Sequence, residues 1–311
     1  MNISVAICTW NRANMLDQTL QQMQKLNVAS GLEWEILVVN NNCTDNTDDI
    51  IDKHKTKLPI RRIIETKKGI SNARNAALEV TNSEWLLFTD DDVLVSPDWL
   101  SSYSEAIRTC SANIAFMGGD IVPWFPHTPD PDLVAAIPTV GNGFCGRTVS
   151  EKRLIELGEK LPLGANFAVK CNLLEGLKFN PNLGLVENQR TVGEEITLMQ
   201  ELLNLGFLGL WVENAIVKHY VDPKRLTLRS MCQHLFDLGR SEVRMKRLNS
   251  ADQKHSLPLW TYRQLIESGV MMFVFFIIRR RIAYLQNFKQ FFINAGEIKE
   301  HFHRAEQRNH P

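Results

Sequence analysis

In the first 120 positions, apolar residues fall in short continuous runs separated by segments where they recur at helical spacing. ISVAICT (Ile3–Thr9), EILVVN (Glu35–Asn40), Ile60–Glu65 and WLLFT (Trp85–Thr89) read as strands, and near-continuous apolar runs such as ILVV and WLLF fit cover on both faces. Between them lie helical patterns over Met15–Leu26, over Asp45–Lys53 behind a Thr44/Asp45 cap, over Ser71–Val80, and after Pro97. This alternation predicts an α/β fold with a mostly parallel sheet and right-handed crossovers. Beyond residue 120 the pattern changes. Pro123, Pro126, Pro129 and Pro131 predict a loop over Ile121–Asp132. Gly164–Lys170 and Leu210–Lys218 read as strands flanking a helix over Glu194–Leu203. From Leu226 onward the spacing is helical, over Leu226–Leu248 and Tyr262–Ala295, with a polar joint near Ser250–Ser256. The expected division is an α/β domain over 1–225 and a helical region over 226–311.

With 311 residues, 44% hydrophobic and 23% charged, the chain can bury a large core, and disorder or low complexity is excluded. Lys plus Arg balances Asp plus Glu at 35 each, so net charge argues for no nucleic-acid partner. The balance is uneven along the chain: residues 220–311 carry 16 basic and 8 acidic side chains, leaving the front acidic. Six cysteines without a CxxC pair support neither a disulfide framework nor a zinc site and fit a reducing compartment. No basic leader precedes the first strand, so a cytoplasmic location without a signal peptide is expected. Gly269–Ile278 (GVMMFVFFII) runs into Arg279, Arg280 and Arg281. Ten residues reach only ~15 Å as a helix, half of a ~30 Å hydrocarbon core. The segment reads either as a buried core helix or as an interfacial helix with a basic collar on anionic lipid.

Polar residues gather after three of the predicted strands: Thr9, Asn11 and Arg12; Asn40, Asn41 and Asn42; Asp90, Asp91 and Asp92. In a parallel sheet these points share the carboxyl edge, where ligands bind. Alternation along an extended segment turns Asp90 and Asp92 one way and Asp91 the other. Two hard carboxylates there suit Mg²⁺ or Mn²⁺; the plainer reading is an acidic turn that caps a helix. Neither a GxxxxGK[ST] loop nor a GxGxxG turn follows the first strand, so no glycine-rich cradle holds phosphates there.

CTWNR (8–12), VVNNNCTDNT (38–47), GISNARNAAL (69–78), FTDDDV (88–93), GANFAV (164–169), GEEITL (193–198) and VKHYVDPKRLT (217–227) together resemble the inverting family 2 glycosyltransferases. The resemblance spans roughly residues 3–228 and implies the GT-A fold, with a donor half over 1–120 and an acceptor half over 121–225. It further implies that Thr9, Asn11, Arg12, Asn40, Asp45, Gly69, Ser71, Arg74, Asn75, Asp90 and Asp91 bind the donor. Asp90, Asp92 and His219 would hold Mg²⁺ or Mn²⁺. Glu195 would be the catalytic base, with Glu194 as the alternative, while both acids also suit a helix N-terminus. Gly164, Ala165 and Asn166 would line the acceptor side, with Trp124 in the proline-rich segment beside them. Lys224 and Arg225 would add cations for phosphate or an anionic acceptor.

Asn40 departs from the family, which usually has an aspartate that accepts a hydrogen bond from uracil. The family favours a UDP-sugar donor, and an amide both accepts and donates. The implied activity is sugar transfer from a nucleoside diphosphate to a hydroxyl of a glycan or lipid-linked acceptor in bacterial polysaccharide or glycoconjugate synthesis. The basic tail and the Gly269–Ile278 run suit a lipid-linked acceptor, so the expected location is cytoplasmic, peripheral at the inner face of the membrane. Two other classes share such a fold: a nucleotidyltransferase, which needs a triphosphate loop that CTWNR does not supply, and a non-catalytic nucleotide-sugar or glycan-binding module.

Overall fold

Strand β1 (Asn2–Thr9) is the centre around which the sheet grows. It pairs in parallel with β2 (Glu33–Asn40) on one side and with β4 (Trp85–Asp90) on the other. The computed structural model describes residues 2–129, 131, 146–148, 153–186, 189–190, 192–248 and 257–309. The polar joint expected near Ser250–Ser256, Cys145, and positions 130 and 132 of the proline-rich segment lie outside the described residues.

β3 (Ile60–Ile64) extends the sheet beyond β2. Past β4 come β9 (Asn166–Lys170), antiparallel, then β6 (Ile114–Gly118), β10 (Leu208–Trp211) and the two-residue β8 (Leu154–Ile155). The result is an eight-stranded, mixed sheet in an α/β fold. A smaller sheet has β5 (Val93–Val95) and β7 (Ile121–Trp124) on either side of β11 (Val217–Tyr220).

Side-chain alternation gives the large sheet two apolar faces. Ile3, Val5 and Ile7 pack toward α1 (Ala13–Met23), α2 (Thr47–His54) and α4 (Trp99–Thr109). Ala6, Leu86 and Phe88 pack toward α3 (Ile70–Val80) and α5 (Glu194–Asn204). This two-sided cover is why the strands read as continuous apolar runs.

Four expectations change. Ile114–Gly118 forms a fully buried strand where none was read. Ile121–Trp124 is a strand rather than loop; Pro123 is tolerated because β7 lies at an edge of the small sheet. The run Leu210–Lys218 is not one strand, because a turn with Asn214 at φ 65° divides it between β10 and β11 in different sheets. The helix expected over Tyr262–Ala295 is two, α7 (Leu259–Ile277) and α8 (Arg281–Asn309), broken where Arg279 adopts φ 55°.

The chain divides into two compact units. The sheet unit comprises Met1–Trp124, Cys145–Asn188 and Glu194–Tyr220, and the helical unit Phe125–Phe144, Gln189–Gly193 and Val221–Pro311. In the helical unit, α6 (Leu228–Leu248) and α8 approach backbone to backbone at Gly239 and Gly296, where a Cβ would collide with the carbonyls of Ile293 and Phe236. Arg240 and Arg244 both donate to the buried Glu300.

Asn166, expected on the acceptor side, is instead a fully buried knot between the two sheets of its unit. Its Oδ1 accepts from Trp99 Nε1 at 2.8 Å and Tyr103 OH at 2.9 Å. Its Nδ2 donates to the carbonyls of Asp120 at 2.9 Å and Ala215 at 2.7 Å. Asn166→Leu removes all four bonds and leaves buried donors without this partner. Urea denaturation is expected to show a loss of about 3 kcal/mol or more, whereas a change below about 0.5 kcal/mol, the scale of surface substitutions, would show the knot to be dispensable.

Candidate active site

The chain winds outward from β1 through β2 to β3 and then returns to place β4 on the other side of β1. The strand order therefore reverses between β1 and β4, and at such a switch point ligands bind outside the carboxyl ends of the strands. The three aspartates sit there and divide as alternation predicts. Asp91 turns inward: its Oδ2 accepts from Thr9 Oγ1 at 2.7 Å and its Oδ1 from Arg12 Nη1 at 3.0 Å. Thr19 Oγ1 donates to the Asp91 carbonyl at 2.8 Å. Arg12 Nη1 also reaches Asp92 Oδ2 at 2.7 Å, so one guanidinium clamps two neighbouring acids.

Asp90 and Asp92 face His219 from β11. Antiparallel pairing of β11 with β5 sets His219 opposite Val93, and Tyr220 N–H donates to the Asp92 carbonyl at 2.9 Å. His219 Nε2 lies 3.4 Å from Asp92 Oδ1 and 3.9 Å from Asp90 Oδ2. One ligand atom from each of the three residues falls within 4.8 Å of the others. Asp92 Oδ1 is buried with no hydrogen-bond partner. An orphaned carboxylate oxygen, a second carboxylate and an imidazole converging on one point fit a divalent cation. Burial is the main cause pushing Asp90 and Asp91 above the ordinary carboxylate range; crowding by Asp92 adds to it, against the pull of Arg74 on Asp90 and of Arg12 on Asp91.

Arg74 joins these acids to the glutamate pair. It is 3% exposed, so it is not a surface helix residue. Nη1 donates to Glu194 Oε1 at 2.5 Å and lies 3.8 Å from Glu195 Oε2, while Nη2 lies 3.8 Å from Asp90 Oδ1. The guanidinium sits over Phe88, Phe167 and Phe179, 5.4 to 5.9 Å from the ring centroids. Gly164 completes the enclosure. Its carbonyl accepts from Arg74 Nη2 at 3.3 Å, its N–H donates to Glu195 Oε1 at 3.1 Å, and a Cβ there would lie 2.5 Å from Arg74 Nη2. Burial, with the adjacent charge of Glu194, pushes Glu195 up to about 8 against the pull of Arg74.

Other expected site residues spend their polar groups on the scaffold. Asn11 Oδ1 accepts from Thr44 N–H at 2.7 Å, tying the loop after β1 to the loop after β2. Asn40 accepts from Cys43 N–H at 2.8 Å and donates to Asp48 at 2.9 Å, so both ends of its amide are occupied within the chain. Asp45 accepts from Ala13 N–H at 3.0 Å and from Thr47, bracing the starts of α1 and α2. Gly69 N–H and Asn41 are bonded at 2.9 Å, and Ser71 Oγ donates to the Leu183 carbonyl at 2.7 Å. Asn75 exchanges two bonds with the Phe179 backbone, donating to its carbonyl at 2.8 Å and accepting from its N–H at 2.9 Å. Ala165 contributes its carbonyl to Thr89 at 3.0 Å. Trp124 is half-buried and stacks edge-on against Tyr220, next to His219, at 5.7 Å. Lys224 and Arg225 belong to a 3₁₀ turn of the helical unit.

Sequence reasoning missed the aromatic box. Phe88 and Phe167 stack at 4.7 Å because β4 and β9 pair antiparallel in that register, and no local signal announces such a long-range pairing. Arg74→Met would leave Glu194 and Glu195 buried without their cation. Breaking a buried pair from one side costs about 3–5 kcal/mol, and chemical denaturation is expected to show a loss of that size; an unchanged midpoint would mean that Arg74 is not the compensating charge.

Residues 4–132 match the family model described as Glycosyl transferase family 2. Among known proteins, the validoxylamine A glucosyltransferase of Streptomyces hygroscopicus is 29% identical over 133 residues, 42% of this chain and 31% of that protein. The dolichol-phosphate mannosyltransferase of Pyrococcus furiosus is 26% identical over 187 residues, 58% of this chain and 49% of that protein. The chain thus spans between about a third and a half of these relatives' length. Among solved structures, the Pyrobaculum calidifontis mannosyltransferase PcManGT, in complex with GDP-Man and Mn²⁺, superposes with a TM-score of 0.62 at 15% identity, covering 97% of this chain and 87% of that one. Staphylococcus aureus TarS 1–349 in complex with UDP gives 0.55 at 15% identity, covering 98% and 92%. The motifs, the sheet order and these matches agree: residues 4–132 match glycosyl transferase family 2, and the chain has the GT-A fold of those solved glycosyltransferases.

Proposed function

We propose that the protein transfers a sugar, with inversion, from a nucleoside diphosphate to a hydroxyl acceptor, and that the reaction depends on a divalent cation. The observation that carries this reading is the convergence of Asp90, Asp92 and His219 beside a buried glutamate pair, the two groups joined through Arg74. Relatives and structural neighbours supply context: a GDP-Man and Mn²⁺ complex, UDP and UDP-GlcNAc complexes, and a succinoglycan biosynthesis protein from Rhizobium meliloti. Polysaccharide or glycoconjugate synthesis is the corresponding setting, with a glycan or lipid-linked acceptor.

In an inverting displacement, the acceptor oxygen attacks the anomeric carbon as the bond to the diphosphate breaks. Glu195 takes the acceptor's proton, and the nucleoside diphosphate departs. When bound by Asp90, Asp92 and His219, Mg²⁺ or Mn²⁺ supplies charge stabilisation for the diphosphate. Arg12 occupies Asp91 and one oxygen of Asp92, which leaves Asp90 and Asp92 Oδ1 for that role. Glu194, bonded to Arg74, holds the guanidinium and is the weaker candidate for the base. Asn40 Oδ1 already accepts from Cys43 N–H and its Nδ2 donates to Asp48, so it meets a uracil ring as a neutral amide held by the chain and not as the family's carboxylate, and that residue does not favour UDP.

A base must be ionised to accept a proton, and Glu195 stands near 8. kcat/KM is therefore expected to rise with pH and level off above about 8. Glu195→Gln is expected to lower turnover at least about 100-fold, the low end of general-base contributions, with donor binding nearly intact. Equal activity in the variant would remove Glu195 from the mechanism.

Donor and metal requirements are read together by thermal shift with UDP-, GDP- and other nucleotide sugars, with and without Mn²⁺, since a ligand bound only to the folded state raises its stability. One donor is expected to stabilise the protein only with Mn²⁺, and Asp92→Asn or His219→Ala is expected to abolish that dependence. A donor shift indifferent to metal in the unmodified protein would overturn the metal assignment.

A further inference from the structure

Helix α7 has its polarity reversed. The side chains it buries are small and polar: Thr261 is 1% and Ser268 4% exposed, with Gln264 partly covered between them. The side chains it presents outward are large and apolar: Ile266 is 68%, Phe273 67% and Ile277 60% exposed, with Val270 and Val274 on the same stripe. Positions 266, 270, 273, 274 and 277 follow one helical face over three turns. A helix bordering water shows the opposite order, and an apolar patch of this extent marks a contact surface.

The end of the stripe is basic. α7 stops at Ile278, where Arg280 N–H donates to the Phe275 carbonyl at 3.0 Å and Arg279 N–H to the Phe276 carbonyl at 3.3 Å. This is a Schellman-type end in which Arg279, at φ 55°, occupies a position that glycine fills at least cost. Arg279, Arg280 and Arg281 are all exposed, and exposed Ile278 and Ile282 flank them. Between residues 259 and 282 the sole acid is Glu267, and it is paired with Arg263 at 2.6 Å.

We propose that this face of the helical unit docks on an anionic lipid surface, with α7 lying in the interface, its apolar stripe among the upper acyl chains and the arginine turn at the headgroups. The charge decides for lipid over a second copy of the chain: the sole acid of α7, Glu267, is already paired with Arg263, so a facing second stripe brings Arg279 and Arg280 no free countercharge, whereas anionic headgroups supply it. Among the described residues no helix is long and apolar enough to cross a membrane, which agrees with an in-plane position. The surface lies within the helical unit and is independent of the proposed sugar transfer.

The test is flotation of the full chain with vesicles of phosphatidylcholine alone and of phosphatidylcholine with one quarter phosphatidylglycerol, at low and high salt. The chain is expected to float with the anionic vesicles, less so at high salt, and poorly with the neutral ones. Arg279→Gln/Arg280→Gln is expected to weaken binding about fivefold per arginine removed. Phe273→Glu/Ile277→Glu is expected to abolish it while the circular dichroism spectrum and any Mn²⁺-dependent donor shift persist. Failure of the unmodified chain to float with anionic vesicles, or equal flotation with both kinds, overturns the proposal. So does sedimentation showing a dimer that Phe273→Glu dissolves, which would make the stripe a self-interface. Loss of the donor shift in the unmodified chain would instead count against the transferase reading alone.

Discussion

Among the described residues, five carboxylates are brought to one edge of the sheet and two guanidiniums accompany them. Asp90, Asp91, Asp92, Glu194 and Glu195 surround Arg12 and Arg74, and if all are ionised the cluster carries a net charge of −3. Taking such a group out of water is costly unless the charge is offset. Each guanidinium is shared between acids: Arg12 between Asp91 and Asp92, Arg74 among Glu194, Glu195 and Asp90. The uncompensated charge is concentrated where His219 faces Asp90 and Asp92, and a divalent cation there would leave −1. Glu195 is raised first by burial and next by Glu194, against the pull of Arg74, and that same guanidinium reaches Asp90, so Arg74 links the metal-binding corner to the base.

The fold serves that constraint by fixing its members from different strands. β1 and β4 bring Thr9 and the aspartates together, the small sheet carries His219 opposite Val93, and the β4–β9 pairing closes the aromatic box under Arg74. Asn166 ties α4 to the start of β9 and to the carbonyls of Asp120 and Ala215. The helical unit follows different physics. Its close α6–α8 approach and buried Arg240–Arg244–Glu300 cluster hold helices together, while α7 turns its apolar side outward.

The strands around β1 were legible because both their faces are covered, which leaves a continuous apolar run in the sequence. β6 is equally apolar but short, and β7 carries a proline that only an edge position tolerates. The split of Leu210–Lys218 and the break at Arg279 each depend on one residue with positive φ, Asn214 and Arg279, at positions where no glycine gave warning. In the site, alternation along Asp90–Asp92 anticipated that Asp91 parts from the other two. Residue type alone did not tell a ligand-facing amide from a scaffold one: Asn40, Asn75 and Asn166 are polar residues near the site, yet each spends its amide on the chain. The burial of Arg74 was invisible for a related reason, since its box is assembled from Phe88, Phe167 and Phe179, far apart in sequence.

Anomalous scattering from crystals grown with Mn²⁺ and a nucleoside diphosphate addresses the central claim most directly. One manganese peak is expected, bonded to Asp90, Asp92 and His219 Nε2 at about 2.0–2.2 Å, with Arg12 still on Asp91 and Arg74 still on Glu194. A diphosphate bound at this edge with no manganese between the two aspartates and the histidine would contradict it.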